Sequence, residues 1–274
     1  MSNKVAVVTG ASRGLGRGMA RALGSKGMTV YVTGRSALDG VVEEINEQGG
    51  VGVAFQCDHG DDQQVVELFK KIEREEGRLD LHINNAAAVY RDELTKKAPF
   101  WEKDSSLVDM ITIGLRSDYM AAYYATPLLI KTGSSLMAHI SFYGAVAHFM
   151  GPAYGAAKAG TDKMSFDMAD ELRDHNVASV SIWPGYVRTD ESKKVPDELF
   201  SEDIRKILPE FESPEFTGLV IAALLEDPDR MNLSGKTLIG AHLGLRYGIK
   251  DLDGKQPRDW TEIMGKPQDF FEVS

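Results

Sequence analysis

The sequence predicts an α/β fold, a doubly wound parallel sheet of about seven strands with helices on both faces. Two observations predict it. Short apolar runs of strand length alternate with longer helical patterns along the 274-residue chain. The short runs are rich in Val and Ile on both faces, which is typical of parallel strands covered on both sides. Because crossovers between parallel strands are right-handed, this alternation indicates a doubly wound sheet.

The elements follow one another in a regular order. The predicted strands are residues 5–10, 29–34, 51–58, 79–86, 135–141, 177–185 and 236–241. The predicted helices are residues 14–27, 36–49, 61–77, 105–132, 153–174 and 212–226. Glycines at the helix ends are typical stop signals. No repeat or convincing linker interrupts the pattern, so we expect a single domain over residues 1–274. Its tail, about 242–274, has no clear period and is expected to wrap the body or a neighbouring subunit.

Composition excludes several classes of protein. The formal net charge of −10 disfavours nonspecific binding to nucleic acid or anionic lipid. The single cysteine, Cys57, allows no intrachain disulfide and no cysteine-based metal site. The six histidines are scattered without ligand spacing, so no metal is predicted. We see neither a signal peptide nor a run of roughly 18 apolar residues. We therefore expect a soluble, cytoplasmic protein with no membrane span and no nucleic-acid partner.

A glycine-rich loop, "TGASRGLG" from Thr9 to Gly16, follows the first strand and opens the first helix. Small residues let the backbone approach a dinucleotide pyrophosphate, and the helix N-terminus offers free N–H groups and a positive dipole. The alternative is a tight strand–helix turn without a ligand. Together with the alternating pattern, the loop favours a Rossmann-like nucleotide site. Its predicted contacts are Gly10, Ser12, Arg13, Gly14, Leu15 and Gly16.

The end of the second strand bears on the choice of cofactor. An NAD site usually places an acid there to accept hydrogen bonds from the ribose 2′-OH, but this strand ends "YVTGRS" with Arg35. Arg13 adds a second guanidinium, and arginines suit a 2′-phosphate. We therefore predict NADP(H) over NAD(H); the alternative is two solvated surface arginines. Asp58, which closes the third strand, is placed to meet the adenine, and its alternative role is turn formation.

The stretch "SFYGAVAHFMGPAYGAAKAG" carries the predicted catalytic residues. Tyr154 and Lys158 are four residues apart in a helix and share a face. A phenol has an unperturbed pKa near 10, and a nearby ammonium lowers it, so the pair suits proton donation to a carbonyl that receives hydride. Ser141, at a strand end, can hydrogen-bond the same carbonyl oxygen. Tyr-x3-Lys alone is a weak signal, and the alternative is an exposed tyrosine and lysine.

The order of these motifs along the chain favours the catalytic interpretation of Tyr154 and Lys158 over an exposed tyrosine and lysine. From about residue 4 to residue 241, the chain resembles the short-chain dehydrogenase/reductase family. The motifs that carry the resemblance are Thr9–Gly16, Asn84–Ala86, Ser141, Tyr154, Lys158, and Pro184-Gly185 through Thr189.

The resemblance implies a role for each motif. It implies that Tyr154 is the acid/base, that Lys158 binds the nicotinamide ribose and lowers the tyrosine pKa, and that Ser141 orients the carbonyl. It implies that the Pro-Gly…Thr segment holds the carboxamide. The remaining implied cofactor contacts are Asn85, Ala86, Pro184, Gly185, Val187 and Thr189. Family members usually form homodimers or homotetramers through the two long helices, here residues 105–132 and 153–174.

Two positions depart from the family pattern. Ala87 replaces the last glycine of the usual Asn-Asn-Ala-Gly, and Gly114 stands where an asparagine usually relays protons to the lysine. The relay then uses water alone or another group. Further segments, such as "GLRSDY" and "RYGIKDLDGKQPRDW", resemble one subgroup that also carries this glycine. The subgroup implies NADPH-linked reduction of ketones, with steroids and other carbonyl compounds among the candidate substrates.

The substrate is expected at the carboxyl edge of the strands, above the nicotinamide. Segments 88–104, 142–152 and 190–212 would surround it, and the last of these is predicted to be a lid, with a solvated helix pair as its alternative. An aromatic wall suits a bulky apolar ketone; ordinary core packing is the alternative for each ring. The candidate wall residues are Phe100, Trp101, Phe142, Tyr143, Phe149, Tyr186 and Phe200.

The sequence as a whole therefore predicts an NADP(H)-dependent reductase that interconverts a ketone and a secondary alcohol. One alternative is an NAD-dependent alcohol dehydrogenase, against which Arg13 and Arg35 argue. The other is a cofactor-binding member of the fold without turnover, which only Gly114 favours.

Overall fold

The computed structural model describes residues 4–90, 93–94, 96–194 and 202–272. Its sheet has seven strands in the order β3-β2-β1-β4-β5-β6-β7, and every pairing is parallel. The doubly wound α/β prediction is thereby confirmed. The strands are β1 Val5–Val8, β2 Thr29–Gly34, β3 Val51–Gln56, β4 Leu81–Asn84, β5 Ser135–Ile140, β6 Val177–Trp183 and β7 Thr237–Ile239.

Several strands end earlier than the sequence predicts. Thr9, Ser141 and Pro184 lie just past the ends of β1, β5 and β6. Because parallel strands all end at the same edge, the residues that leave the sheet there come together. The apolar runs thus continue past the last ladder hydrogen bond into the loops that form the site.

Helices cover both faces of the sheet. They are α1 Gly14–Gly24, α2 Asp39–Glu47, α3 Asp62–Glu75, α4 Ser117–Thr132, α5 Pro152–Leu172, α6 Asp190–Lys193, α7 Glu202–Ile207, α8 Pro214–Glu226, α9 Gly240–Tyr247 and α10 Thr261–Met264. On one face, α1 and α8 bury Met19, Leu23, Phe216 and Leu224 against the sheet. On the other face, α3 and α4 bury Leu68, Ile72 and Leu129.

The predicted long helix 105–132 is not continuous. A 3-10 turn over Ser105–Val108 and one α-turn over Asp109–Ile111 lead into a π-helical segment, Thr112–Arg116, before α4 begins. Gly114 lies in the middle of that π-helical segment. Glycine lowers helix stability, and wide π turns appear as local insertions in helices. The apolar periodicity carried no signal of this interruption.

The predicted lid contains helix, which its alternative, a solvated helix pair, also implies, and the tail contains helix that was not predicted. Within the predicted lid, 190–212, the structure describes α6, α7 and a 3-10 turn over Leu208–Glu210, while Phe200 lies outside the described residues. The tail begins with α9, whose short amphipathic pattern the sequence analysis missed, and later contains α10. Trp260, just before α10, is 2% exposed, so this part of the tail is packed against the body.

Two further properties concern only the part of the chain that the structure describes. None of its helices is both long and apolar enough to cross a membrane. Nor do its His, Cys, Asp and Glu side chains form a group of three or more able to hold a metal ion.

Candidate active site

The loops after β1 and β4 are joined by hydrogen bonds. The Thr9 hydroxyl oxygen accepts the backbone N–H groups of Asn85, at 2.8 Å, and Ala86, at 3.0 Å. The Asn85 side-chain amide donates in return to the carbonyl oxygen of Thr9, at 2.8 Å. The glycine-rich loop and the Asn84–Ala86 motif are therefore tied together at the carboxyl edge of the sheet.

The glycine loop has the backbone of an anion-binding turn. Gly10 and Gly14 have φ values of 65° and 60°, in the left-handed region that favours glycine. Helix α1 begins at Gly14 without a side-chain cap, which leaves its first N–H groups available to a ligand. A Cβ placed on Gly14 would have Thr189 Cγ2 as its nearest neighbour, at 3.8 Å. The loop thus faces the end of the segment that follows β6.

The other loop residues support this turn. Gly16 is buried, and a Cβ there would lie 2.5 Å from the Gly10 carbonyl oxygen. Ser12 packs over Gly34 at the end of β2, while Leu15 packs against the core below.

Arg13 and Arg35 are both exposed beside this loop. Across the described ranges, neither guanidinium pairs with an acid, so both can receive an anion. Asp58 lies nearby and makes a turn: its Oδ1 accepts the Gly60 N–H at 2.9 Å. The turn-forming alternative for Asp58 is therefore present in the structure.

The structure brings Ser141, Tyr154 and Lys158 together. Ser141 directly follows β5, and Tyr154 and Lys158 lie in α5, which begins with Pro152 at a position that proline favours. The Lys158 ammonium donates to the Ile140 carbonyl oxygen at 2.8 Å, and the Ser141 hydroxyl donates to the Lys158 carbonyl oxygen at 3.1 Å. Lys158 Nζ lies 5.7 Å from the centroid of the Tyr154 ring.

Burial dominates the electrostatics of this group. It raises the pKa of Tyr154 above its usual value, so the phenol carries its proton at neutral pH. It lowers the pKa of Lys158, and the carboxylates of Asp118 and Asp162 oppose that change. The lowering of the tyrosine pKa by Lys158 that the family resemblance implies stays a prediction.

Gly144 is a site residue that the sequence analysis missed. A Cβ at this position would lie 2.5 Å from Cε1 of Tyr154, so the phenol ring packs directly on the glycine. Gly144 lies in the short 3-10 turn Tyr143–Ala145. In the sequence, its spacing of three residues from Ser141 was the one feature that could have pointed to it. Any side chain here would displace the tyrosine.

Three of the predicted aromatic wall residues pack with one another, and one of them, Phe149, contacts Tyr154. The Phe142 ring lies 5.2 Å from Phe149 and 5.8 Å from Tyr186, and Phe149 lies 6.0 Å from Tyr154. Tyr186 also contacts Trp260 of the tail at 4.9 Å, in an edge-to-face arrangement. These contacts make a continuous aromatic surface beside the phenol.

Three other wall candidates lie behind or outside this surface. Tyr143 is buried behind this surface, where its ring lies 5.3 Å from Phe142 and 4.9 Å from Trp183. Trp101 is 72% exposed and pairs with Phe100, 5.2 Å away. Both residues lie in the 3-10 turn Phe100–Glu102. Among the described residues, neither ring contacts the aromatic surface beside Tyr154.

The segment after β6 is held from both sides. Pro184 is buried, Val187 forms a parallel bridge with Glu212, and the Thr189 hydroxyl accepts the Ser192 N–H to cap α6. A Cβ on Gly185 would lie 2.8 Å from Glu212 Oε2 and 3.1 Å from Trp260 Nε1. Only a glycine fits between these two side chains.

Glu212 was missed by the sequence analysis. It is 3% exposed, and burial raises the pKa of its carboxyl to about 8. The Gly185 N–H and the Thr217 hydroxyl both donate to it. No local pattern marks Glu212 or Trp260, because both reach Gly185 from distant parts of the chain.

Comparisons with known proteins agree with this geometry. The family model of the short chain dehydrogenases matches residues 4–199. Dehydrogenase/reductase SDR family member 1 of Mus musculus is 41% identical, and that of Homo sapiens 38%; each alignment covers 96% of this chain and 88% of the relative. These relatives confirm the subgroup resemblance.

A solved structure extends the comparison to a bound cofactor. A metagenomic short-chain oxidoreductase in complex with NADP superposes with a TM-score of 0.68, at 28% identity, over 84% of this chain and 94% of that chain. The chain therefore belongs to the short chain dehydrogenase family of oxidoreductases, which bind a nicotinamide cofactor.

Proposed function

We propose that this protein is an NADP(H)-dependent oxidoreductase that interconverts a ketone and its secondary alcohol. The observation that carries the proposal is the grouping of Ser141, Tyr154 and Lys158 at the end of β5. A proton donor, a hydroxyl and a cation lie within one small region. That region adjoins an aromatic surface that suits a bulky apolar carbonyl compound, with steroids among the candidates.

The residues present fit an NADP(H) molecule. The uncapped start of α1 and the left-handed Gly14 suit the pyrophosphate, with Gly10, Ser12, Leu15 and Gly16 shaping the loop. The exposed guanidiniums of Arg13 and Arg35 suit the 2′-phosphate. The proposed contacts further along are Asp58, Asn85, Ala86, Pro184, Gly185, Val187 and Thr189.

The proposed chemistry divides among three side chains. The bound nicotinamide supplies the hydride. Tyr154, which burial keeps protonated, donates its phenolic proton to the carbonyl oxygen of the substrate. The Ser141 hydroxyl, which now donates to the Lys158 carbonyl oxygen, turns to hold the substrate oxygen. The Lys158 ammonium stabilises the phenolate that the proton transfer leaves.

The test is NADPH oxidation, followed by its nicotinamide absorbance, with a panel of ketones, diketones and ketosteroids. Tyr154→Phe should lose roughly 10²- to 10⁴-fold in rate, since it keeps the ring and removes only the proton. Tyr247→Phe is the matched control, because that tyrosine ends α9 and its hydroxyl donates to Asp227 rather than to any group of the site.

Either of two results would contradict the proposal. Full activity in Tyr154→Phe would exclude the tyrosine as the acid. NADPH binding without turnover of any ketone would favour the alternative, a cofactor-binding protein of this fold.

We also propose a homodimer or homotetramer built through α4 and α5, in a single-domain, cytoplasmic protein. Tyr119 and Tyr123 of α4 are 51% and 60% exposed, more aromatic surface than a solvated helix needs. Light scattering after size exclusion would measure the assembly, and a monomer at micromolar concentration would contradict it. The acidic charge and the single cysteine support the cytoplasmic location, which fractionation would test.

A further inference from the structure

The glycine loop is held at its first glycine from two sides. On one side, the Asn85 side-chain amide donates to the Gly10 carbonyl oxygen at 3.2 Å. On the other side, the Gly10 N–H donates to the Thr33 hydroxyl oxygen at 3.3 Å, and the Ala11 N–H donates to the Thr33 carbonyl oxygen at 2.7 Å. Hydrogen bonds to both backbone polar groups of Gly10 therefore fix its left-handed conformation.

Thr33 is bonded in turn to a histidine from beyond the next strand. His59 lies three residues past the end of β3, and its Nε2 is 2.7 Å from the Thr33 hydroxyl oxygen. Thr33 is completely buried and His59 is 4% exposed, so water does not compete for this hydrogen bond. Burial also lowers the pKa of His59 to about 4, which leaves the ring neutral at neutral pH.

The direction of this hydrogen bond follows from what each atom can do. The Thr33 hydroxyl oxygen already accepts the Gly10 N–H, and its own hydrogen needs an acceptor. Among the described residues, His59 Nε2 is the only acceptor within reach of that hydrogen. The hydroxyl therefore donates to Nε2. A hydroxyl that donates becomes a better acceptor for Gly10, because hydrogen bonds in a chain polarise one another.

The His59 ring makes no other hydrogen bond to the residues that the structure describes. Its second nitrogen, Nδ1, is buried without a partner in this part of the chain. Burying an imidazole with one nitrogen unpaired costs stability, and an apolar side chain would avoid that cost. The bond to Thr33 is thus the one described interaction that uses the chemistry of this histidine.

We propose that His59 is a positioning residue for the cofactor: through the Thr33 hydroxyl, it fixes the Gly10 peptide and with it the loop that receives the pyrophosphate. A loop that is fixed before the cofactor arrives loses less conformational freedom on binding, so affinity is higher. The same chain joins the loop to the turn that carries Asp58, the proposed adenine contact, because His59 directly follows it. This inference rests on the proposed function, since it assigns a support to the cofactor loop of that site.

The first test measures the dissociation constant of NADPH by nicotinamide fluorescence. His59→Phe keeps a buried ring and removes the acceptor, while Thr33→Val keeps the shape and removes the hydroxyl. Each should weaken NADPH binding roughly tenfold, the effect of one or two hydrogen bonds. The double variant should bind no more weakly than the weaker single variant, because both substitutions break the same chain. In turnover, the loss should appear in KM for NADPH rather than in kcat.

Two further variants separate positioning from a general loss of stability. His59→Gln offers an amide oxygen near the place of Nε2 and should recover most of the affinity. Tyr31→Phe is the matched control, because Tyr31 is a buried residue of the same strand as Thr33 and its hydroxyl donates to Glu75 at 2.9 Å, away from the loop. This control should lower stability without changing NADPH affinity.

The second test needs no cofactor. Hydrogen exchange, measured by mass spectrometry on peptides that cover residues 9–16, reports how firmly the loop amides are held. They should exchange roughly tenfold faster in His59→Phe and Thr33→Val than in the wild type, and Tyr31→Phe should leave them unchanged. If His59→Phe does not fold, His59→Asn takes its place, since its amide is too short to reach the Thr33 hydroxyl.

The outcomes separate this inference from the proposed function. NADPH affinity in His59→Phe equal to that of the wild type, or losses that multiply in the double variant, would overturn the role of His59. Loop exchange that Tyr31→Phe accelerates as much as His59→Phe would overturn it too, since the effect would then be a loss of global stability. A wild type that binds no dinucleotide would refute the proposed function, while the exchange experiment would still decide whether His59 holds the loop.

Discussion

The buried carboxyl of Glu212 should make the stability of this protein depend on pH in a defined window. Burial raises its pKa from 4.5 to about 8, and the hydrogen bonds from Gly185 and Thr217 offset only part of that rise. Between these two values the unfolded chain has released the proton and the folded chain has kept it. The folded state binds more protons there, so stability falls as the pH rises and levels off above about 8.

The magnitude follows from the width of the window. Each pH unit is worth about 1.4 kcal/mol for one group, so the range from 4.5 to about 8 amounts to at most about 5 kcal/mol. Glu212→Gln imitates the protonated acid, because its amide can accept from Gly185 and donate to the Thr217 hydroxyl oxygen. The variant should match the wild type near the ordinary glutamate pKa and exceed its stability by several kcal/mol above pH 8.

The assay is urea unfolding of both proteins across this pH range. Comparing the two curves removes the contributions of every other titrating group. Glu210→Gln is the control, because Glu210 is exposed and pairs with Arg258 at the surface. Parallel curves for Glu212→Gln and wild type would refute the reasoning, since Glu212 would then be ionised in the folded protein at neutral pH.

Three further changes test other parts of the site. Arg35→Asp should move cofactor preference toward NADH by roughly tenfold or more, because it replaces a phosphate-binding cation with an acceptor for the 2′-OH; an unchanged ratio of kcat/KM for NADPH and NADH would contradict our assignment. Gly144→Ala should lower kcat about 10²-fold, because the new methyl group displaces the Tyr154 ring. Gly40→Ala is the control, since its new Cβ would meet only Arg17 Nη2, at 3.6 Å, and kcat should not change. Equal rates in the two variants would contradict the packing of Tyr154 on Gly144. Acidification from about pH 6.5 toward 4 should lower the free energy of unfolding of the wild type, because burial lowers the pKa of His82 to about 3 and the unfolded chain takes up the proton first. In His82→Gln, the free energy of unfolding should fall less over the same pH range. An equal fall in both proteins would show that other groups cause it.

The sequence predicted much of this arrangement because its signals are local. The alternation of apolar runs gave all seven strands, and a spacing of four residues placed Tyr154 and Lys158 on one helix face. The position of each motif just after a strand was enough to bring the loops together, since parallel strands end at a common edge. Helix boundaries near Gly114 and the helix α9 were not predicted, because short or interrupted turns leave no clear period.

Other features depend on how the elements pack. Trp101 and Phe149 are both aromatic residues in segments expected near the substrate, yet Trp101 is 72% exposed while Phe149 contacts Tyr154. Spacing along the chain does not distinguish them, because loop residues have no periodic relation to the sheet. The side of the site on which each ring lies was decided by tertiary structure.

The sequence by itself determined the fold class, the family and the positions of the glycine loop, Ser141, Tyr154 and Lys158, since each follows from backbone geometry within one or two adjacent elements. Only the tertiary structure decided which groups surround them. Glu212 meets Gly185 from a loop more than twenty-five residues away, and Trp260 meets it from the tail. The pKa of a side chain depends on its three-dimensional surroundings, because burial and nearby charge act through space rather than along the chain.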